Sequence, residues 1–398
     1  MNSNTFDQIT SRESLEKSWK RLLTKTKKSS RNTTGVDGIS INDFEKDSKR
    51  LLTQLAKDIK LNLFKFSPLK PFLIPKKSGK DRLICVPTVR DRIVQRTLLD
   101  YLAKTYKKQI DNEISYGFVP ERSVKEAAED AIKLRNLNPW VFKTDITSFF
   151  DQIPRAELES RIKKVIKQSS LHKILFQAVN CEIGYATVKD KQKIIDLGIK
   201  VGKGVRQGMP LSPFFANLLL SEFDSQLTKE NFKAIRYADD LIFFASNKNE
   251  CETIAAACKA KLSEIELSIP GIEENSKSSI HSPLEDVDFL GLTIAHSNGK
   301  YELKLSKEQR LKIRDEFLKL SSIPELVSRG LRLKDLGLIV FSKKDGYLAA
   351  YDCCTNLKEL EIDLNNIVQK VLRRIYVKGL NIDLKSIDGV TRQFLSLT

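Results

Sequence analysis

The residues most able to do chemistry in this chain are two adjacent carboxylates, Asp239 and Asp240, set inside IRYADDLIFFAS (235–246) between two apolar, strand-forming runs. Asp disfavours strands and neighbouring anions repel, so taken alone the pair reads as a solvated hairpin turn. A third carboxylate changes that reading. Asp145 lies near the end of the strand-like run VFKTDI (141–146), and if that strand lies beside the 235–246 hairpin, three anions share one small volume. Such a cluster is untenable without cations. Hard oxygen ligands, few per ion, suit Mg2+, which keeps its waters and takes phosphate oxygens to complete its shell. Two such ions, roughly 3.5–4 Å apart, activate an attacking hydroxyl and stabilise the leaving oxygen of an in-line phosphoryl displacement.

The elements that must hold these groups show as changes of period along the chain. Residues 14–56 alternate helical patterns around a turn, GVDGIS (35–40), and carry the basic cluster KTKKSSR (25–31). PFLIP, KKSGKD and RLICVP then read as strand, Lys-rich turn, strand. Ile93, Val94, Leu98, Leu99 and Leu102 predict a helix over 92–106. After the Asp145 strand comes a basic helical segment, RIKKVIK (161–167), and then GKGVRQGMPLSPFFANLLLSEF (202–223), a Gly-rich loop leading into an apolar helix. A helix is expected over 250–267, and DFLGLTI (288–294) reads as one more strand with a turn after it. From about residue 301 the pattern is largely helical. Ser306 and Gln309 form a capping box for a helix whose apolar side holds Leu311, Ile313, Phe317 and Leu320. Leu357, Leu360, Leu364, Ile367, Val371 and Ile375 step by three or four, with Lys370, Arg373 and Arg374 on the other face. Strands interleaved with helices predict an α+β fold, a sheet with helices on one side.

Composition bounds the partners. The 398 residues are 41% hydrophobic and 30% charged, with a mean hydropathy of -0.31, which describes a globular chain. No apolar run approaches the roughly 20 residues needed to span a bilayer. The N-terminus has neither a basic start nor an apolar core, so a cytoplasmic location is expected. Six cysteines without a CxxC pair, and three scattered histidines, argue against zinc and for reduced thiols. Against 51 acidic residues stand 68 Lys and Arg, a formal charge of +17. That excess calls for a polyanion, and interleaved aromatic and basic residues favour nucleic acid over a membrane surface.

The motifs together carry a resemblance. YADD (237–240), with FKTDITSFFDQI, RQGMPLSPFFANLLL and DFLGLTI in the same order, is similar to a reverse transcriptase, and resembles most closely the bacterial group II intron type. GVDGIS, FLIPKKSGKDRLICVPTVRDRIVQ and SYGFVPERSVKEA (115–127) fit the same family, and GYLAAYDCCTNLKELEIDLNNIVQKVLRRI resembles its thumb. The resemblance implies a right-hand polymerase. An N-terminal extension and fingers, with part of the palm, would occupy 1–140. A palm with an antiparallel sheet and the YADD hairpin would occupy 141–300, and an α-helical thumb 301–398.

Residue roles follow from the same resemblance. Asp145, Asp239 and Asp240 become catalytic ligands of two Mg2+ ions, with the Ile146 carbonyl as a further ligand and Lys277 as the acid that protonates departing pyrophosphate. Arg82, with a lysine from Lys76, Lys77 or Lys80, would grip the dNTP triphosphate. Phe150 would lie under the incoming sugar and exclude a 2′-hydroxyl, while Gln207 and Gly208 would meet the nascent pair. Tyr116, Phe118 and Tyr237 would contact primer or template, as would the primer grip of Phe289, Leu290 and Gly291 and the basic face of Lys370, Arg373 and Arg374. The chain departs from the family at Val119 and Glu121, where Arg and Gly are usual.

The implied activity is RNA-directed DNA synthesis: dNTPs are added to the 3′-hydroxyl of a DNA or RNA primer on an RNA template. Other readings are an RNA-binding, maturase-like protein with an idle centre, and an RNA-templated RNA polymerase, against which Phe150 argues. About twenty residues follow the thumb-like block, with no Cys/His-bearing endonuclease among them. That tilts the expected role from intron mobility or CRISPR adaptation toward antiphage defence with a dedicated structured noncoding RNA.

Overall fold

The computed structural model describes residues 5–75, 81–185, 187–273 and 276–397. The chain forms two compact units, one of Met1–Arg122, Phe142–Phe243 and Asn249–Ile280, the other of Ser123–Val141, Phe244–Lys248 and His281–Thr398.

In the first unit, helices Arg12–Lys25, Ser48–Lys60 and Val89–Thr105 pack together. The last of these begins three residues before the expected start because the Thr88 hydroxyl accepts the Asp91 N–H at 3.2 Å and caps it. Strands β1 (Lys70–Pro75) and β2 (Asp81–Val86) pair antiparallel, Leu73 opposite Leu83. The lysines of the intervening turn, Lys76, Lys77 and Lys80, lie outside the described residues. Strand β3 (Trp140–Asp145) joins β4 (Lys233–Tyr237), β5 (Asp240–Ala245) and β6 (Ser279–His281) in a four-stranded sheet of order β4-β5-β3-β6. Phe142 of β3 stacks on Phe243 of β5 with ring centroids 5.7 Å apart. Successive residues Leu241, Ile242 and Phe243 are all fully buried. Both faces of β5 are therefore covered, whereas a sheet with helices on one side leaves alternate side chains in water.

In the second unit, DFLGLTI is not one strand. It contains a hairpin turn: β7 (Val287–Phe289) turns at Leu290 and Gly291 into β8 (Leu292–Ser297), with Phe289 opposite Leu292. Both turn residues have positive φ, +55 and +83, the conformation whose twist matches the flanking strands. Strand β9 (Lys300–Leu305) completes an antiparallel sheet, so the last quarter opens as strand, and helices follow from Lys307. Ser306 caps the helix Lys307–Leu318 as expected, but only half of the capping box forms. The Gln309 amide donates instead to the Tyr351 hydroxyl at 2.8 Å. Ile313, Phe317 and Leu320 are buried, whereas Leu311 is 45% exposed. In helix Leu357–Arg373, Leu360, Leu364, Ile367 and Val371 face inward, while Lys370 and Arg373 are exposed.

Fold class is α+β. Among the described residues no helix is long and apolar enough to cross a membrane. All six cysteines are free, and burial pushes thiols such as Cys85 and Cys258 up to about 12, well away from reactivity.

Candidate active site

β3 ends on Asp145, and the next residue fixes where that carboxylate stands. The Ile146 N–H donates to the Asp239 carbonyl at 2.9 Å, tying the end of β3 to the β4–β5 turn. The turn is tight: Ala238 sits at φ +59, a left-handed conformation that L-residues adopt at some cost. Two segments distant in sequence thus deliver Asp145, only 7% exposed, beside Asp239 and Asp240.

The electrostatics follow from that crowding. Burial pushes the Asp239 carboxyl above the usual carboxylate range, and the charge of Asp145 adds to the effect. Asp240 is pushed up to about 6, first by burial and then by Asp239. Lys277 donates to the Asp145 carboxylate. Burial opposes the Lys277 charge, but this bond and the attraction of the three carboxylates outweigh it, holding its pKa above the usual lysine value. Lys143 acts on Asp240 and Arg82 on Asp239 in the same neutralising sense.

Oxygen donors crowded at one strand end fit a hard divalent cation. The expected three-carboxylate cluster is nevertheless a mutually repelling group and not a finished cage. Among the described residues, no three or more His, Cys, Asp or Glu side chains are gathered to hold a metal ion. Asp145 is engaged by Lys277, and Asp239 in the turn and Asp240 at the start of β5 repel one another.

Residues on the nucleotide side of the expected site fall around the same strand end. Phe150 follows β3 on the short helix Phe149–Gln152, and its half-exposed ring meets Phe118 edge-on with centroids 6.4 Å apart. Its carbonyl accepts the Val205 N–H at 2.8 Å. Gly204 has no room for a side chain, because a Cβ there would lie 2.7 Å from the Phe150 carbonyl oxygen. The Gln207 carbonyl accepts the Cys85 N–H at 2.7 Å, and Gly208, φ +106, packs so closely that a Cβ would lie 2.3 Å from the Cys85 carbonyl oxygen. The RQG loop is thereby pinned to β2, the strand that carries Arg82.

Sequence reasoning missed a layer behind these residues. Arg155 donates to the Gly204 carbonyl at 2.9 Å and to Glu182 at 2.5 Å. Glu182 also accepts the Gly202 N–H, and Arg206, 1% exposed, lies 3.4 Å from it. This brace holds the loop that supports Phe150. Arg236, fully buried in β4, was missed as well. Its signal was present: Asn217 and Asp224, two polar residues seven apart on one face of the apolar helix Ser212–Lys229, both bond it.

Tyr116 is 7% exposed, with the Arg122 guanidinium 4.7 Å from its ring centre, which leaves little of the ring for a nucleic acid to touch. Tyr237, half-buried, ends β4. Val119 is buried, and Glu121, where the family usually has Gly, holds φ +69. The left-handed backbone explains the usual Gly. In the second unit Phe289 is buried, and Leu290 and Gly291 form the hairpin turn. Lys370 lines a groove of about 740 Å³ together with Lys304, Lys307, Arg310 and Arg314. Arg373 and Arg374 continue the basic surface one turn further.

A buried strand end and a tight acidic turn are thus linked main chain to main chain within an α+β fold. Residues 74–294, more than half of the chain, match the family described as reverse transcriptase (RNA-dependent DNA polymerase), and the chain belongs to that family. Its type is group II intron-like. Protein YkfC of Escherichia coli (strain K12) is 30% identical over 203 residues, which are 49% of this chain and 50% of that protein. The group II intron-encoded protein LtrA of Lactococcus lactis subsp. cremoris is 25% identical over 53% of this chain and 33% of its own length. The retron Ec83 reverse transcriptase of Escherichia coli is 26% identical over 61% of this chain and 72% of its own. The chain thus spans about half of YkfC and a third of LtrA.

Proposed function

We propose that this protein is an RNA-directed DNA polymerase that adds dNTPs to a primer 3′-hydroxyl by two-metal-ion catalysis in the cytoplasm. The fingers, palm and thumb would occupy 1–140, 141–300 and 301–398. The observation that carries the reading is the Ile146 to Asp239 hydrogen bond, which brings Asp145 to the acidic turn.

Asp145 and Asp239 would hold two Mg2+ ions, with Asp240 and the Ile146 carbonyl as secondary ligands. When bound, the cations activate the primer hydroxyl and neutralise charge on the leaving pyrophosphate. The primer hydroxyl gives up its proton to solvent, its oxygen forms a bond to the α-phosphorus, and the bond from that phosphorus to pyrophosphate breaks. Lys277, whose ammonium already reaches Asp145, supplies a proton to the departing group. Arg82 and a lysine of the β1–β2 turn draw in the triphosphate. Phe150 meets the sugar and leaves no space for a 2′-hydroxyl, while the Gly208 backbone allows close approach of the new pair. The basic face of Lys370, Arg373 and Arg374 receives the duplex.

The test is primer extension by purified protein on an RNA template with dNTPs and Mg2+. Wild type extends the primer and Asp239→Asn does not, though it still binds template and primer. No extension by wild type, under conditions where a known reverse transcriptase works, overturns the reading. We further propose that the enzyme serves antiphage defence with a structured noncoding RNA. The +17 charge supports an RNA partner. A phage plaque count lowered by wild type and restored by Asp239→Asn is expected, with one short RNA copurifying; recovery of a group II intron instead overturns the defence role.

A further inference from the structure

The catalytic turn is gripped from beneath by one buried side chain. The Arg236 guanidinium has five N–H donors, and all five find acceptors. Nε donates to Asp224 Oδ1 at 2.7 Å, and Nη2 to the other Asp224 oxygen and to the Ser115 hydroxyl at 2.8 Å. Nη1 donates to Asn217 Oδ1 and to the Ala238 carbonyl, both at 3.1 Å. That carbonyl belongs to the left-handed residue immediately before Asp239.

A second segment presses on the same turn from another side. Residues 114–116 run alongside β4: Arg236 N–H donates to the Ile114 carbonyl, and Tyr116 N–H to the Arg236 carbonyl, each at 2.8 Å. Gly117 follows, so close that a Cβ there would lie 2.3 Å from the Ala238 nitrogen. Asn217 ties the two grips together, since its amide donates to the Gly117 carbonyl at 2.8 Å while its oxygen accepts from Arg236. Asn112 adds a bond to Asp224 at 2.9 Å.

A buried ion pair of this kind is weak evidence for stability, because desolvation cancels much of its attraction. What the fork geometry supplies here is direction: one planar group sets the positions of Ala238, Asn217 and Ser115 relative to Asp224. We propose that Arg236, with Asn217 and Asp224, is a positioning residue that fixes the Ala238 peptide and so sets where the Asp239 carboxylate stands. The inference rests on the polymerase reading for its catalytic sense, and makes a claim of its own about the turn.

Arg236→Ala would strand Asp224 without a partner and unfold the protein, so it is not the test. Arg236→Lys keeps a charge for Asp224 but has no fork to reach the Ala238 carbonyl as well. Gly117→Ala displaces the turn without touching Arg236. Both variants are compared with wild type for thermal melting, template–primer affinity, Mn2+ binding by electron paramagnetic resonance, and kcat and KM for dNTP.

The expected result is a folded protein that binds template and primer within about twofold of wild type. Its kcat falls roughly 100-fold, the loss typical of an ångström's misplacement, with KM for dNTP unchanged and Mn2+ affinity weakened. Activity and Mn2+ binding equal to wild type per folded molecule overturns the inference and leaves the polymerase reading standing. Failure of both variants to fold also overturns it, since the cluster would then serve folding alone. If wild type itself neither extends a primer nor binds Mn2+, the polymerase reading falls and takes this one with it.

Discussion

Single side chains divide here into those whose chemistry shows in their type and those whose job depends on where the backbone puts them. Phe150 is of the second kind: its ring is half-exposed, braced by Phe149 and Phe118. Phe150→Ala is expected to lower the preference for dCTP over CTP by roughly 10- to 100-fold, measured as the ratio of kcat/KM values. An unchanged ratio removes the steric role. Glu121 makes a different prediction. Its φ of +69 strains any residue with a Cβ, and its ion pair with Lys107 at 2.5 Å is exposed. Exposed pairs contribute little, so relief of strain wins. Glu121→Gly should raise the Tm by roughly 1–3 °C without loss of primer extension; a lower Tm contradicts this. Asp145, Asp239 and Asp240 could be grouped from VFKTDI and the ordered motifs around YADD, although the adjacent pair taken alone reads as a turn, which is where Asp239 lies. Arg236 was passed over, because a lone Arg beside Tyr237 reads as surface until Asn217 and Asp224, which share one face of the helix Ser212–Lys229, are seen to bond it.

Between residues and the whole lie the elements, and here the glycines of the RQG loop decide more than the strands do. Gly208 and, outside that loop in the turn after helix Val188–Asp196, Gly198 both hold positive φ, but of the two only Gly208 also abuts a backbone oxygen, while nothing lies within 4 Å of a Cβ at Gly198. Gly198→Ala therefore suffers backbone strain alone, about 1–2 kcal/mol. Gly208→Ala adds a collision with β2 and is expected to lose at least about 1 kcal/mol more, read by urea unfolding, together with primer extension. Equal losses at the two positions contradict the close packing of loop on strand. Element order and type were largely readable from period and punctuation. What escaped was the hairpin inside DFLGLTI: Leu is a poor turn residue, and Leu290 at φ +55 follows tertiary context and not propensity. The covering of both faces of β5 escaped too, because an apolar run does not say which faces are covered.

At the scale of the whole molecule the governing quantity is charge. With 68 basic against 51 acidic residues, binding to a template–primer duplex should weaken steeply with salt, log K falling linearly against log salt concentration. Lys370→Ala and Arg374→Ala are each expected to flatten that slope by about 0.7–0.9, depending on whether the contacted phosphate lies in a single strand or a duplex. A slope unaltered by either change would move the duplex elsewhere on the surface. Net charge and the class of partner were open to reading from composition. Which basic residues share a groove was not, since Lys304 and Lys370 belong to different elements that meet only in the folded second unit.

The strand order β4-β5-β3-β6 has one more consequence, for synthesis. Both neighbours of β3 are encoded after it, so Val141 and Phe142, fully buried in the finished protein, leave the ribosome with no strand to pair with. At about 5–20 residues per second, the stretch up to β5 takes roughly 5–20 s to make. For that interval a naked apolar ribbon is open to misassociation, and the yield of active enzyme should track chaperone supply and translation speed as closely as it tracks final stability.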